Sequence, residues 1–258
     1  MGEAVHEVSA ATRPGLTRFA PAFTIAVFLL PIVAGLVGTL LPAFGYLPAI
    51  GGTGFDLDAW RRLAAYPGLG SSLQVTLTTG VLTSVLAVVL AFGFCAFAHG
   101  FSSMRRIGEW LAPILAAPHS AIAIGFAFLI APSGWIVRAL SPWLTGWTLP
   151  PDVATVGDAA GLALVLGLLL KEVPYLILMI AGALHQVPVR QHMAIARSLG
   201  YSRAEAWVKA ILPQIYPQIR LPIYAVIAFS LSVVDVALIL GPSNPPTLAV
   251  LAVRWFTD

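Results

Sequence analysis

Five apolar runs dominate the sequence, at about 20–41, 72–98, 110–131, 159–183 and 218–240. As helices, each is long enough to cross a hydrocarbon core of about 30 Å at about 1.5 Å per residue. Backbone immersed in lipid must satisfy its own hydrogen bonds, which leaves helices or a closed barrel. Barrel strands alternate apolar and polar residues over about ten positions, and these runs do not alternate. The expected fold is therefore all-α and polytopic. Composition agrees: 59% of residues are hydrophobic and only 10% are charged, against about 25% charged in soluble domains. The formal charge of +3 is spread along the chain, so no clustered basic surface points to nucleic acid. The one cysteine, Cys95, lies in an apolar run and can form no intrachain disulfide.

The run at 20–41 is longer than a signal-peptide core and lacks a small-residue cleavage site, so it reads as a retained first helix after a cytoplasmic segment at 1–19. With the N-terminus inside, nine of the 14 Lys and Arg residues fall in cytoplasmic connections. These are Arg13, Arg18, Arg105, Arg106, Arg190, Arg197, Arg203, Lys209 and Arg220, the bias that orients membrane proteins. The outer connection at 132–158 carries Trp135, Trp143 and Trp147 among prolines, as residues at the lipid headgroups do. The last apolar run, at 245–258, is too short to cross; it is either a re-entrant segment or, the favoured expectation, the sign of a transmembrane domain (20–258) cut before its final helix.

The most informative segment is 186–217, on the expected cytoplasmic side. Val189, Met193, Ala196 and Leu199 recur at helical spacing, and Gly200 follows where a helix end favours positive φ. Ser202 and Glu205 have capping-box spacing and start a second helix, with an expected apolar stripe of Ala204, Trp207, Val208 and Ile211. Pro213 is expected to help end it. A helix–glycine–helix elbow with basic residues could rest on lipid headgroups or dock a cytoplasmic protein.

This segment resembles the cytoplasmic loop of ABC importer permeases, whose pattern is E-A-A-x-x-x-G…I-x-L-P. The run from Ala194 to Gly200, with Leu212 and Pro213 downstream, keeps Ala196, Gly200, Leu212 and Pro213 and differs at Ala194, Ile195 and Ala210. Upstream, Lys171, Glu172, Val173, Pro174 and Tyr175 look like the family's W-K-x-x-P-F segment without its Trp. Downstream, Ser232 to Asp235 and Leu240 to Pro242 are similar to the S-x-x-E-F…L-G-P of its iron, sulfate and thiamine-type branch, with Asp235 for Glu. Pro118, His119 and Ser120, and the run from Ala131 to Trp135, look like permeases of the thiamine type, which are often double-length. The likeness covers about 71–242.

The resemblance implies a permease of the cell inner membrane that forms the translocation pathway for a small polar solute. ATP would be hydrolysed on a separate cytoplasmic ATPase subunit seated on the loop around Ala194, Ala196, Arg197, Gly200, Ser202, Arg203, Leu212 and Pro213. It also implies a periplasmic substrate-binding protein and a second permease half, on the same or another chain. It calls for no cofactor. No G-x-x-x-x-G-K-S/T run occurs in the chain. Because Ala194 replaces the pattern's Glu, one charge contact to the ATPase is missing, and Arg197 or Arg203 is the expected substitute.

Lys171, Glu172 and Asp235 fall inside apolar runs, where ionisable groups cost several kcal/mol unless paired or hydrated. Lys171 and Asp235 could form a structural clasp, or they could line a hydrated path and contact solute. Lys171 and Glu172 are adjacent and cannot be each other's main partner. The histidines, including His119, His185 and His192, show no metal-ligand spacing. Gly80, Gly93, Gly125, Gly161 and Gly167 are expected to let helices approach closely. The rival functional readings are a secondary transporter driven by an ion gradient, which should show inverted repeats, and an intramembrane enzyme, which needs a catalytic cluster at one depth.

Overall fold

The computed structural model describes residues 19–99 and 104–257, with the side chains of all of these but 104–106. The expected cytoplasmic segment with Arg13 and Arg18 thus lies outside the described residues, as do the side chains of Arg105 and Arg106. Among the described residues the chain is all-helical, apart from an isolated bridge between Leu47 and Gly52. Four segments are long and apolar enough to cross a membrane: Ala20–Ala43, Leu69–Ala98, His119–Leu140 and Leu162–Leu184. The protein is an all-α, multi-pass membrane protein.

The chain divides into two compact units at Pro67 and Gly68. In the first, α1 (Ala20–Ala43) buries no residue and has Pro31 and Pro42 within it. The short α2 (Asp58–Ala64) begins with Asp58, which pairs with Arg61 at 2.8 Å on the surface. Gly45 turns the intervening loop at φ +83°, and a side chain there would run into the Asp56 carboxylate.

The second unit is built around α3 (Leu69–Ala98) and α7 (Leu162–Leu184), which pack along each other and against α10 (Leu212–Ser232). The buried face of α3 is made of small residues, among them Ser72, Thr76, Gly80, Thr83, Ala87 and Ala91. Small side chains let backbones approach where lipid supplies no hydrophobic drive. At Gly80 an added methyl group would meet Leu231, and at Gly167 it would meet Leu240. Gly93 and Gly125, expected to act in the same way, have open space in that direction. Asp158 caps α7, its two carboxylate oxygens accepting from the amides of Leu162 and Ala163 at 2.8 Å each. A carboxylate at that end also complements the helix dipole.

Two expected spans are broken. The run at 110–131 is split into α4 (Met104–Ala116) and α5 (His119–Ile130), because Pro118 has no amide to continue the ladder. The chain then reaches Leu140 through α6 (Trp135–Leu140). The run at 218–240 is split as well: α10 ends at Ser232 and α11 (Asp235–Leu240) starts afresh. The final α12 (Leu248–Thr257) is short, and the Thr76 hydroxyl accepts from its Leu248 amide at 2.7 Å.

The buried apolar residues form two clusters. One joins α3 and α7 to the elbow and α10 through Leu176, Ile180, Trp207, Ile211, Ile215 and Ile219. The other joins α5, α7, α11 and α12 through Ala123, Leu164, Leu168, Val236, Leu240 and Val250.

Candidate functional site

The elbow forms from local chemistry. α8 (Val189–Ser198) ends before Gly200, which adopts φ +88°, a value that favours a residue without a side chain. The Tyr201 amide reaches back to Ala196 O at 3.1 Å and the Gly200 amide to Arg197 O at 3.0 Å, closing the helix end. Ser202 and Glu205 complete a reciprocal capping box at the start of α9 (Arg203–Ala206). The Ser202 amide and hydroxyl, with Lys209 behind them, hold the Glu205 carboxyl below the usual carboxylate range.

Pro213 does not end the second helix. Trp207–Ile211 forms a π-helical turn that leads straight into α10. The wider i→i+5 spacing takes up the missing Pro213 amide, so helical geometry carries on past it. This turn also moves the buried face: Ala206, Trp207 and Ile211 are buried, while Ala204 and Val208 are exposed. On α8, Val189 and Ala196 are buried, but Ile195 is 59% exposed, and Leu199 just past its end is 71% exposed.

The elbow is tied to the spans at specific points. Trp207 lies edge-on to Phe92 of α3, with ring centroids 5.9 Å apart, and to His99 at 5.4 Å. The Arg203 guanidinium donates to Ala96 O at 2.9 Å and Phe97 O at 3.3 Å, the open carbonyls at the end of α3. Arg203 is thus engaged within the chain, whereas Arg197 is exposed on the last turn of α8. Of the other loop residues expected from sequence, Ala194, Ser202 and Pro213 are exposed and Leu212 is half-buried.

The ionisable residues of the spans meet elsewhere. Lys171 and Glu172 on α7 are 7% and 5% exposed. The Lys171 ammonium donates to Ala117 O at 2.5 Å and Leu115 O at 3.3 Å, capping the open end of α4 at its break. A cation suits the negative end of a helix. The Lys171–Asp235 clasp does not form: Lys171 is held by carbonyls, and Asp235 is exposed in the first turn of α11. Glu172 instead faces His119, the first residue of α5, with Oε1 3.7 Å from Nε2. Although adjacent, Lys171 and Glu172 both line one open cleft of about 350 Å³ with Leu115, His119, Tyr175 and Phe229. The His119 ring packs on Phe229 at 4.5 Å.

Sequence reasoning missed His119 and Phe229 as parts of this cleft. The available signal was Pro118, which breaks the helix and puts His119 at a helix start. Among the described residues no group of His, Cys, Asp and Glu could hold a metal ion.

No protein-family model matches the chain. The chain is similar to the inner membrane ABC transporter permease protein YnjC of Escherichia coli (strain K12), with 35% identity over 235 residues. The match covers 90% of this chain and 43% of that protein, so the chain spans less than half the length of this curated relative.

Proposed function

We propose that the chain is the membrane-spanning permease part of an ATP-driven uptake system of the inner membrane, forming the path for a small polar solute. The observation that carries this reading is the elbow around Gly200. Its outer surface offers Ile195, Leu199 and Arg197 to a partner, and an exposed apolar patch on a basic elbow suits a docking protein. Its inner surface is keyed to α3 through Trp207 and Arg203 and runs without interruption into α10. A push on the elbow therefore reaches two packed helices directly. The similarity to a permease named as an ABC transporter component supports the same reading, as does the loop pattern.

In this account the elbow faces the cytosol, with the N-terminus inside, and seats on a separate ATPase subunit where all ATP is hydrolysed. A substrate-binding protein delivers solute at the outer face, and a second permease half, on this or another chain, completes the pathway. The motifs around Asp235 and Pro242 favour the iron, sulfate and thiamine-type branch. Affinity purification from membranes is the test. Co-purification of an ATPase subunit, lost when the elbow is disrupted by Gly200→Pro, is the expected result. Uptake by the chain alone driven by a sodium or proton gradient would instead establish the secondary-transporter reading.

A further inference from the structure

We propose that the cleft between α5, α7 and α10 binds a small organic cation, its N–H donors on Glu172 and its ring or alkyl face on Tyr175 and Phe229. This deepens the permease reading by naming a solute class for the pathway.

Glu172 is the starting point. Its side chain is buried, yet no donor among the described residues hydrogen-bonds to it; His119 Nε2 stands 3.7 Å away, beyond hydrogen-bonding distance. A buried carboxylate without donors is costly, and a donor brought in by a ligand relieves that cost. The adjacent cation does not meet the need, since Lys171 spends two of its three N–H groups on the Leu115 and Ala117 carbonyls. Glu172 therefore acts as an acceptor opening on a cavity, with its own neighbour turned to structural work.

The cavity selects further. About 350 Å³ is within the size range of small-molecule sites. Leu115, Val226 and Phe229 make much of the wall, and the rings of Tyr175, His119 and Phe229 line it. An anion would meet the Glu172 carboxylate, and Lys171, which lines the same cleft and keeps its charge, has only one N–H left to offer it. A neutral polyol would need several fixed polar partners that these apolar walls do not offer. A cation carrying both N–H donors and a flat or aliphatic body gains a charge-assisted hydrogen bond on Glu172 and attraction to the ring faces.

The test uses the intact protein in lipid nanodiscs and three probes of one size: radiolabelled benzylammonium, benzyl alcohol and benzoate, with empty nanodiscs subtracted. The expected result is saturable benzylammonium binding, with both other probes weaker by about tenfold or more. Glu172→Gln, which keeps the side-chain volume, should cost benzylammonium a similar factor. The comparison of probes on the unaltered protein stands even if this variant fails to fold. Benzoate binding as well as benzylammonium, no saturable binding of any probe, or undiminished binding to a folded Glu172→Gln protein would each overturn the proposal. Because binding needs no ATPase, such a failure alongside intact ATPase co-purification removes the cation site and leaves the permease reading standing.

Discussion

The Arg203 side chain, on the first turn of α9, closes the C-terminal end of α3 by donating to Ala96 O at 2.9 Å. A cation at the negative end of a helix contributes about 0.3–1 kcal/mol at a surface site. Arg203→Met should therefore lower thermal stability only slightly, while loosening the elbow from α3. The expected signature is a small change in unfolding temperature with faster amide hydrogen exchange at 94–98.

Trp207 is nearly fully buried against Phe92 and His99. Truncation of a buried Trp costs about 3–5 kcal/mol, through lost contacts and the cavity left behind. Trp207→Ala should destabilise the protein by about that much, and Trp207→Phe by clearly less, as read by thermal unfolding in detergent.

Asp158 satisfies two amides at the start of α7. Loss of such a cap costs about 0.5–2 kcal/mol. Asp158→Ala should fall in that range in the same assay, and Asp158→Asn should recover most of the loss.

The helix glycines separate into two kinds. Gly167→Ala would push a methyl group into Leu240, and overpacking of this sort costs about 1–3 kcal/mol, least where a flexible side-chain end can shift. At Gly93 there is open space, and Ala in a helix gains about 0.5–1 kcal/mol over Gly. The pair of unfolding measurements should differ in sign.

His99 lies just past α3. Burial, then the positive charges of Arg190, Arg203 and His185, hold its pKa below the ordinary imidazole value. The folded state therefore resists protonation that the unfolded chain accepts near pH 6.5. His99 should leave stability unaffected above that pH and reduce it progressively as pH falls below about 6.5. Unfolding curves from about pH 7.5 to about pH 5 should show this acid loss, with a smaller loss in His99→Gln.

The elbow was readable from sequence because its chemistry is local: Gly200, Ser202 and Glu205 act within a few residues of themselves. The break at Pro118 had a local mark as well, whereas the one after Ser232 has no Pro or Gly to announce it. The role of Lys171 was hidden for a different reason. Its partners are the carbonyls of Leu115 and Ala117, and reasoning from side-chain pairs, which suggested Asp235, cannot see backbone acceptors. The buried stripe of the second elbow helix was misplaced because the π-helical turn at Trp207–Ile211 changes the period mid-helix.

The claim that another protein's ATP cycle moves the elbow has a direct measurement. Cys95 is the one cysteine and is buried, so a maleimide reports a cysteine introduced by Leu199→Cys at this exposed position. In inside-out membrane vesicles, labelling at residue 199 should be rapid for the chain alone, strongly slowed when the ATPase subunit is bound, and altered again by adding ATP. Labelling only from the opposite membrane face, or at one rate regardless of ATPase and nucleotide, would contradict the account.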